Sequence, residues 1–349
     1  MTKRTIRLSP SEYINEEGVL KKLQDIIDLH RYFNPIILTD HIVRDVIPPF
    51  LPEGFLDQYP LELFQGNATY EEIDRLTSIF NGYDVIIAFG GGQLLDTAKV
   101  VADHLNIAII NIPTIPSNCA AVTTKSIIYS EGTHEMVGAH RQRQAVTVVL
   151  IEPKLLQASP YEYILSGIGD TLAKYYEIRC RLTGEKLQLT TALIGKTYID
   201  LCRDEMFKVT KVQSLSGTEL INLFDTIFLV AASVDGIADI DGQSVLAHAF
   251  YNAYVKFQNG SRKTHGEVVA LGILFQLYIE KNQNTEIIKL KEFYNKIGLP
   301  ITLRDINWNI SDLEAFSNYI TNPHDTRVQS IFPNLTNQDV LDALMILGG

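Results

Sequence analysis

Three short apolar runs most restrict the fold of this chain: Pro35-Ile-Ile-Leu-Thr-Asp40, Asp84-Val-Ile-Ile-Ala-Phe89 and Ile107-Ala-Ile-Ile-Asn-Ile112. They are compact and lack apolar–polar alternation, as strands covered on both faces do. Helical patterns separate them: Gly18 to Leu29, a stretch from His41 to the Pro48/Pro49 break, Thr69 onward with capping-box spacing to Glu72, and a segment starting near Gln93. Strands joined through helices pair in parallel, so the expectation is a doubly wound, Rossmann-like α/β sheet. Thr5 to Leu8, Glu12 to Asn15 and Leu61 to Phe64 read as shorter strands, and Thr123 to Tyr129 with Val146 to Ile151 as a strand pair. The stretch between that pair, with His134, His140, Arg141 and Arg143, reads as an exposed polar turn.

Beyond Glu152-Pro153 the pattern changes. Helical periodicity covers Tyr161 to Arg181, Leu187 to Val209, Gly217 to Val234, Gln243 to Lys256, His265 to Asn282 and Thr285 to Ile297. The chain of 349 residues exceeds one ordinary core, so two domains are expected: α/β over 1–153 and all-α over 154–349. A hydrophobic fraction of 46% with 20% charged residues marks a folded protein. A net charge of −11 with no basic run argues against nucleic-acid binding. Three cysteines without metal-type spacing, and a charged Met1 to Pro10, suggest a cytoplasmic protein. The apolar stretches near Thr226 to Val234 and Val268 to Leu277 are too short to span a bilayer, so no membrane partner is expected.

Three residues of the helical half carry chemistry. Asp170 follows Gly167 and Gly169, where two glycines make a flexible approach to a helix about to begin. An aspartate there caps a helix as readily as it binds a ligand. His248 lies within one helical pattern and His265 opens the next. An Asp/His/His set suits zinc or iron(II) and leaves a coordination position for a substrate oxygen. Taken singly, each histidine is equally a packed helix residue. Gly90-Gly-Gly, between a strand and a helix start, lets backbone amides approach a pyrophosphate, although the spacing is not G-x-G-x-x-G. The loop from Pro113 leaves the carboxyl end of a strand, where α/β proteins bind ligands.

Together Gly90-Gly-Gly-x-x-x-Asp96-Thr-Ala-Lys, Pro113-Thr-Ile-x-Ser117, Gly167-Ile-Gly-Asp170-Thr-Leu-Ala-Lys-Tyr, Ala247-His248-Ala and His265-Gly-Glu-x-Val-Ala-x-Gly resemble the iron-containing alcohol dehydrogenase family, in its glycerol dehydrogenase branch. The resemblance implies an oxidoreductase using NAD or NADP, a homo-oligomer, and one divalent metal per subunit, zinc or iron(II), on Asp170, His248 and His265. It places Asp40 at the adenosine ribose, and Gly91, Gly92, Gln93 and Asp96 near the pyrophosphate. Thr114, Ser117, Thr123, Lys125 and Tyr129 fall on the nicotinamide side.

One departure bears on substrate. Where the glycerol dehydrogenases carry an aspartate that holds the polyol, this chain has Cys119 in Ser117-Asn118-Cys119-Ala120-Ala121. A polyol there loses a charged acceptor contributing roughly 1.5 to 3 kcal/mol. The segment is similar to that of the hydroxycarboxylate dehydrogenases, which reduce 2-oxo acids, and loss of a carboxylate removes repulsion against an anion. Lys125, Arg141 or Arg143 are the expected carboxylate partners. The alternatives are a glycerol dehydrogenase, a dehydroquinate-synthase-like lyase, and a metal- and nucleotide-binding protein with little activity.

Overall fold

The computed structural model describes residues 5–132, 135–281 and 284–348; His134 lies outside the described residues. The three apolar runs become β2 (Pro35–Thr39), β4 (Val85–Gly90) and β5 (Ala108–Pro113), joined in one sheet by β1 (Glu12–Asn15), β3 (Leu61–Leu63) and β8 (Val148–Ile151). The strand order is β1-β8-β5-β4-β2-β3, and every pairing is parallel. Helices cover the sheet, so β2, β4 and β8 are buried along their whole length. Val85, Ile87, Phe89, Ile110, Ile112, Val148 and Leu150 pack with Leu20, Leu23 and Ile27 into one core.

Three expectations change. Thr5 to Leu8 forms no strand. Thr123 to Tyr129 does not pair with Val146 to Ile151. Instead β6 (Lys125–Tyr129) pairs antiparallel with β7 (Met136–Arg141), which falls in the stretch read as a turn, while β8 enters the main sheet. The buried apolar residues of β8 fit a sheet interior, whereas β7 is largely exposed and fits a hairpin at the surface. Thr69 caps its helix through the Glu72 amide at 3.2 Å, but the Glu72 carboxylate accepts from Gln65 N and Arg75 rather than closing a capping box.

The chain divides into two compact units. One comprises Arg7–Pro160 with Leu215–Gly236, and the other is built mainly from Tyr161–Ser214 and Ile237–Gly349. Leu215–Gly236 joins the sheet unit because Asp225 accepts from the Tyr13 hydroxyl at 2.9 Å and the Asn15 amide at 2.8 Å. The helical run Thr218–Ala238 is long and apolar enough to cross a membrane by composition, and 56% of its apolar window is buried inside the protein.

In the second unit His265–Ile279 is buried on all sides and packs against Tyr161–Ile178 and Leu246–Phe257. A helix apolar all round belongs at a core centre. Asp170 therefore sits within a helix that begins at Tyr161, not ahead of one, and its neighbouring glycines serve another purpose. A Cβ on Gly169 would lie 2.1 Å from the Gly266 carbonyl oxygen, and one on Gly266 would lie 1.7 Å from that of Ser166. The two glycines let these helices touch backbone to backbone beside Asp170 and His265.

Candidate metal centre and nucleotide turn

Asp170, His248 and His265 converge: one ligand atom from each lies within 4.8 Å of the others. Asp170 Oδ1 is 3.3 Å from Nε2 of His248 and 3.3 Å from Nε2 of His265. Two donors each about 2.0 to 2.1 Å from a tetrahedral zinc ion lie roughly 3.4 Å apart, so these spacings fit a bound ion. The donor set, one carboxylate oxygen and two imidazole nitrogens, fits zinc or iron(II) in chemistry as well.

The second nitrogen of His248 is also committed. Nδ1 lies 2.6 Å from Oε2 of Glu177, while Oε1 of Glu177 accepts from the backbone amides of Val245 at 2.7 Å and His248 at 3.1 Å. Glu177 is 1% exposed. A proton fixed on Nδ1 leaves the Nε2 lone pair directed at Asp170. Glu177 went unnoticed in the sequence, although it stands seven residues after Asp170, two turns along the same helical face.

The electrostatics favour positive charge between the carboxylates. Burial pushes Asp170 upward, but hydrogen bonds from both histidines, with the charges of His265 and Lys174, hold it well below the usual carboxylate range. Burial disfavours a charged His248, yet the Glu177 charge and hydrogen bonds to Asp170 and Glu177 raise it to about 9. A proton and a metal ion are alternative occupants of such a nitrogen. The Tyr251 ring packs edge-on to the His265 ring at 4.3 Å, one turn beyond His248. Burial pushes its phenol up to about 12, Arg262 acting against and Asp170 with the shift, so the hydroxyl keeps its proton at neutral pH.

The nucleotide turn lies in the sheet unit. Gly91 precedes the helix Gly92–Leu105, which has neither a side-chain cap nor an acidic residue in its first turn. Its initial amides and dipole are therefore unopposed, as an anion site requires. Cβ atoms on Gly91 and Gly92 would lie 2.9 Å from Ile115 and 3.1 Å from Asn118, so the glycines admit the following loop across the turn. Gln93 accepts from the Ala68 amide at 3.3 Å, and the amide of Thr114, itself buried, donates to the Gly90 carbonyl at 3.1 Å. Asp40 caps the helix His41–Val46 through Val43 N at 2.8 Å.

Asp96 is directed inward. Its Oδ2 accepts from Ile127 N at 3.0 Å, and Oδ1 lies 2.8 Å from the fully buried ammonium of Lys99. Lys99 donates to the carbonyls of Ala120, Thr123 and Lys125 at 2.7, 2.9 and 3.0 Å, so Asp96 Oδ1 answers its charge without being an aligned acceptor. This pair pins the segment holding Thr123 and Lys125 to the helix. Cys119 is buried and in no disulfide, Ser117 precedes it in the loop, and Tyr129 ends β6 with its amide donating to Ala68 O. Arg143 is engaged by Asp103, while Arg141 and Lys125 face each other across the β6–β7 ladder.

The family model of the iron-containing alcohol dehydrogenases matches residues 10–153. Glycerol dehydrogenase of Thermotoga maritima is 26% identical over 317 residues, 86% of this chain and 85% of that protein. Hydroxycarboxylate dehydrogenase A of Escherichia coli is 29% identical over 318 residues, 87% of this chain and 86% of that protein. Over residues 10–153 the chain is similar to the iron-containing alcohol dehydrogenases, and over most of its length to these two dehydrogenases. Both relatives are named as dehydrogenases, one of glycerol and one of hydroxycarboxylates. A probable glycerol dehydrogenase from Sinorhizobium meliloti shares the fold with a TM-score of 0.82, at 23% identity over 99% of this chain and 98% of its own. Iron-containing alcohol dehydrogenases use NAD(H) and a divalent metal.

Proposed function

We propose that this dehydrogenase interconverts 2-oxo acids and 2-hydroxy acids, with a nicotinamide nucleotide held by the sheet unit and a zinc ion by Asp170, His248 and His265. The observation that carries the reaction class is the pair of 3.3 Å spacings from Asp170 Oδ1 to the two imidazoles. The buried Cys119, standing where a carboxylate would repel an anion, supports the choice of an anionic substrate over a polyol. When bound, the ion supplies Lewis acidity at the substrate oxygen and the nicotinamide gives or takes a hydride. Glu177 keeps Nε2 of His248 free to act as a donor atom. Asp170 would bring a fixed negative charge to help His248 and His265 hold the ion. The protonated phenol of Tyr251 stands beside His265 as a hydrogen-bond donor. The Gly91–Gln93 amides and Asp40 bind the nucleotide, Asp40 favouring an unphosphorylated ribose and hence NAD. The Lys99–Asp96 pair holds the loop bearing Thr114, Ser117, Thr123, Lys125 and Tyr129, whose role is to seat the nicotinamide.

Reduction consumes a 2-oxo acid, NADH and one proton and yields the 2-hydroxy acid and NAD+. The second reading is polyol oxidation, favoured by the name of the Thermotoga relative. Both are tested by following NADH absorbance with 2-oxobutyrate, hydroxyacetone and glycerol, with zinc and after chelation. The proposal expects 2-oxobutyrate to give the highest kcat/KM and chelation to abolish turnover; preference for glycerol and hydroxyacetone refutes the substrate assignment. A cytoplasmic homo-oligomer completes the reading, supported for the compartment by three cysteines that form no disulfide.

A further inference from the structure

The helices that carry His248 and His265 are joined by a connection with two adjacent cations, Arg262 and Lys263. Its course is fixed from both ends. Gln258 donates to the Asn307 carbonyl at 2.6 Å and accepts from Asn309 N at 2.9 Å, and Lys263 N donates to the Tyr254 hydroxyl at 3.4 Å. Thr264 and Glu267 close a capping box at the start of the His265 helix. Lys263 is neutralised by that same Glu267, at 3.2 Å. Arg262 is exposed, and among the described residues no carboxylate pairs with it.

Arg262 stands three residues before His265, a span of at most about 11 Å along the chain. On the helix that carries His248, the Tyr251 ring touches His265. The guanidinium charge acts on the phenols of both Tyr251 and Tyr254, in each case against the larger upward effect of burial. A phenol donor and the triad thus cluster in the helical unit, and an unpaired guanidinium lies in the connection that leads into the His265 helix.

We propose that Arg262 is the specificity residue that pairs with the carboxylate of a 2-oxo acid whose carbonyl oxygen faces Asp170, His248 and His265. The assignment rests on the 2-oxo acid reading above. In a 2-oxo acid the carboxylate is bonded directly to the carbonyl carbon, so its counter-charge must come from close to the metal ligands, and Arg262 is three residues from one of them. A guanidinium also meets a carboxylate through two parallel hydrogen bonds, which an ammonium does not reproduce. Lys263, spent on Glu267, and Arg143, spent on Asp103, are less suited.

The test compares zinc-loaded wild type, Arg262→Gln and Arg262→Lys, with NADH, on 2-oxobutyrate and on uncharged hydroxyacetone. In Arg262→Gln, kcat/KM for 2-oxobutyrate should fall roughly 10- to 150-fold, mainly through KM. Turnover of hydroxyacetone, zinc content and NADH affinity by fluorescence should stay within about twofold, and Arg262→Lys should recover part of the loss. Equal losses on both substrates, or none on 2-oxobutyrate, overturn the assignment of Arg262 while leaving the 2-oxo acid reading intact. A wild type that reduces hydroxyacetone but no 2-oxo acid overturns that reading, and this inference with it.

Discussion

Replacing Glu177 by glutamine isolates the role of a residue that touches neither substrate nor cofactor. The carboxylate accepts three hydrogen bonds, from His248 Nδ1 and from the backbone amides of Val245 and His248. Glutamine has nearly the same shape but only one acceptor oxygen, so either orientation sets a donor against a donor. With its NH2 toward Nδ1, His248 must move its proton to Nε2, the atom 3.3 Å from Asp170 Oδ1, and the ligand lone pair is lost. With its oxygen toward Nδ1, buried backbone amides lose their acceptor, at about 1 to 3 kcal/mol. Both routes weaken zinc binding by roughly 10- to 100-fold, about 1.4 to 2.7 kcal/mol. Competition with a chromophoric chelator at pH 8 measures this directly, and circular dichroism checks that the fold is kept. A folded Glu177→Gln protein that binds zinc within threefold of wild type refutes the orienting role.

Two more outcomes follow from the same geometry. Gly169→Ala drives a Cβ into the Gly266 carbonyl, a backbone atom unable to step aside; we expect a loss of at least 1 to 3 kcal/mol by urea unfolding and weakened zinc binding. Unchanged stability would show that the helices separate freely. Asp103 is pushed up by burial but held down overall by the Arg143 amide and by His140 and Arg143, so its folded pKa lies below its unfolded value of about 3.9. Its contribution is present above that value and lost as pH falls through the folded pKa. Asp103→Asn should therefore destabilise the protein at neutral pH and flatten the acid limb below about pH 4, and parallel acid limbs in melts of the two proteins would contradict this.

Much of the site was legible because chemistry leaves residue types behind. Asp170, His248 and His265 stood out as possible ligands, and Gly90-Gly-Gly as an amide-rich turn, before any coordinates. Other roles were hidden by ambiguity at short range. The glycines beside Asp170 looked like a flexible approach to a helix, and only the neighbouring helix reveals them as points of contact. Asp96 resembled a phosphate-side residue until Lys99 and Ile127 claimed its oxygens. β7, Met-Val-Gly-Ala-His-Arg, lacks the apolar–polar alternation that marks a strand, and the place of β8 depends on β1, more than a hundred residues away, as well as on β5.

The sequence by itself determined the alternation of strands and helices, the helical second half and the inventory of candidate metal ligands, since periodicity and side-chain chemistry are local properties. Tertiary structure alone decided that one aspartate oxygen stands equally far from two imidazoles, that Glu177 sets the His248 tautomer, and that Leu215–Gly236 returns to the sheet unit. Those facts depend on distances between residues remote in the chain, which close packing fixes and composition does not encode.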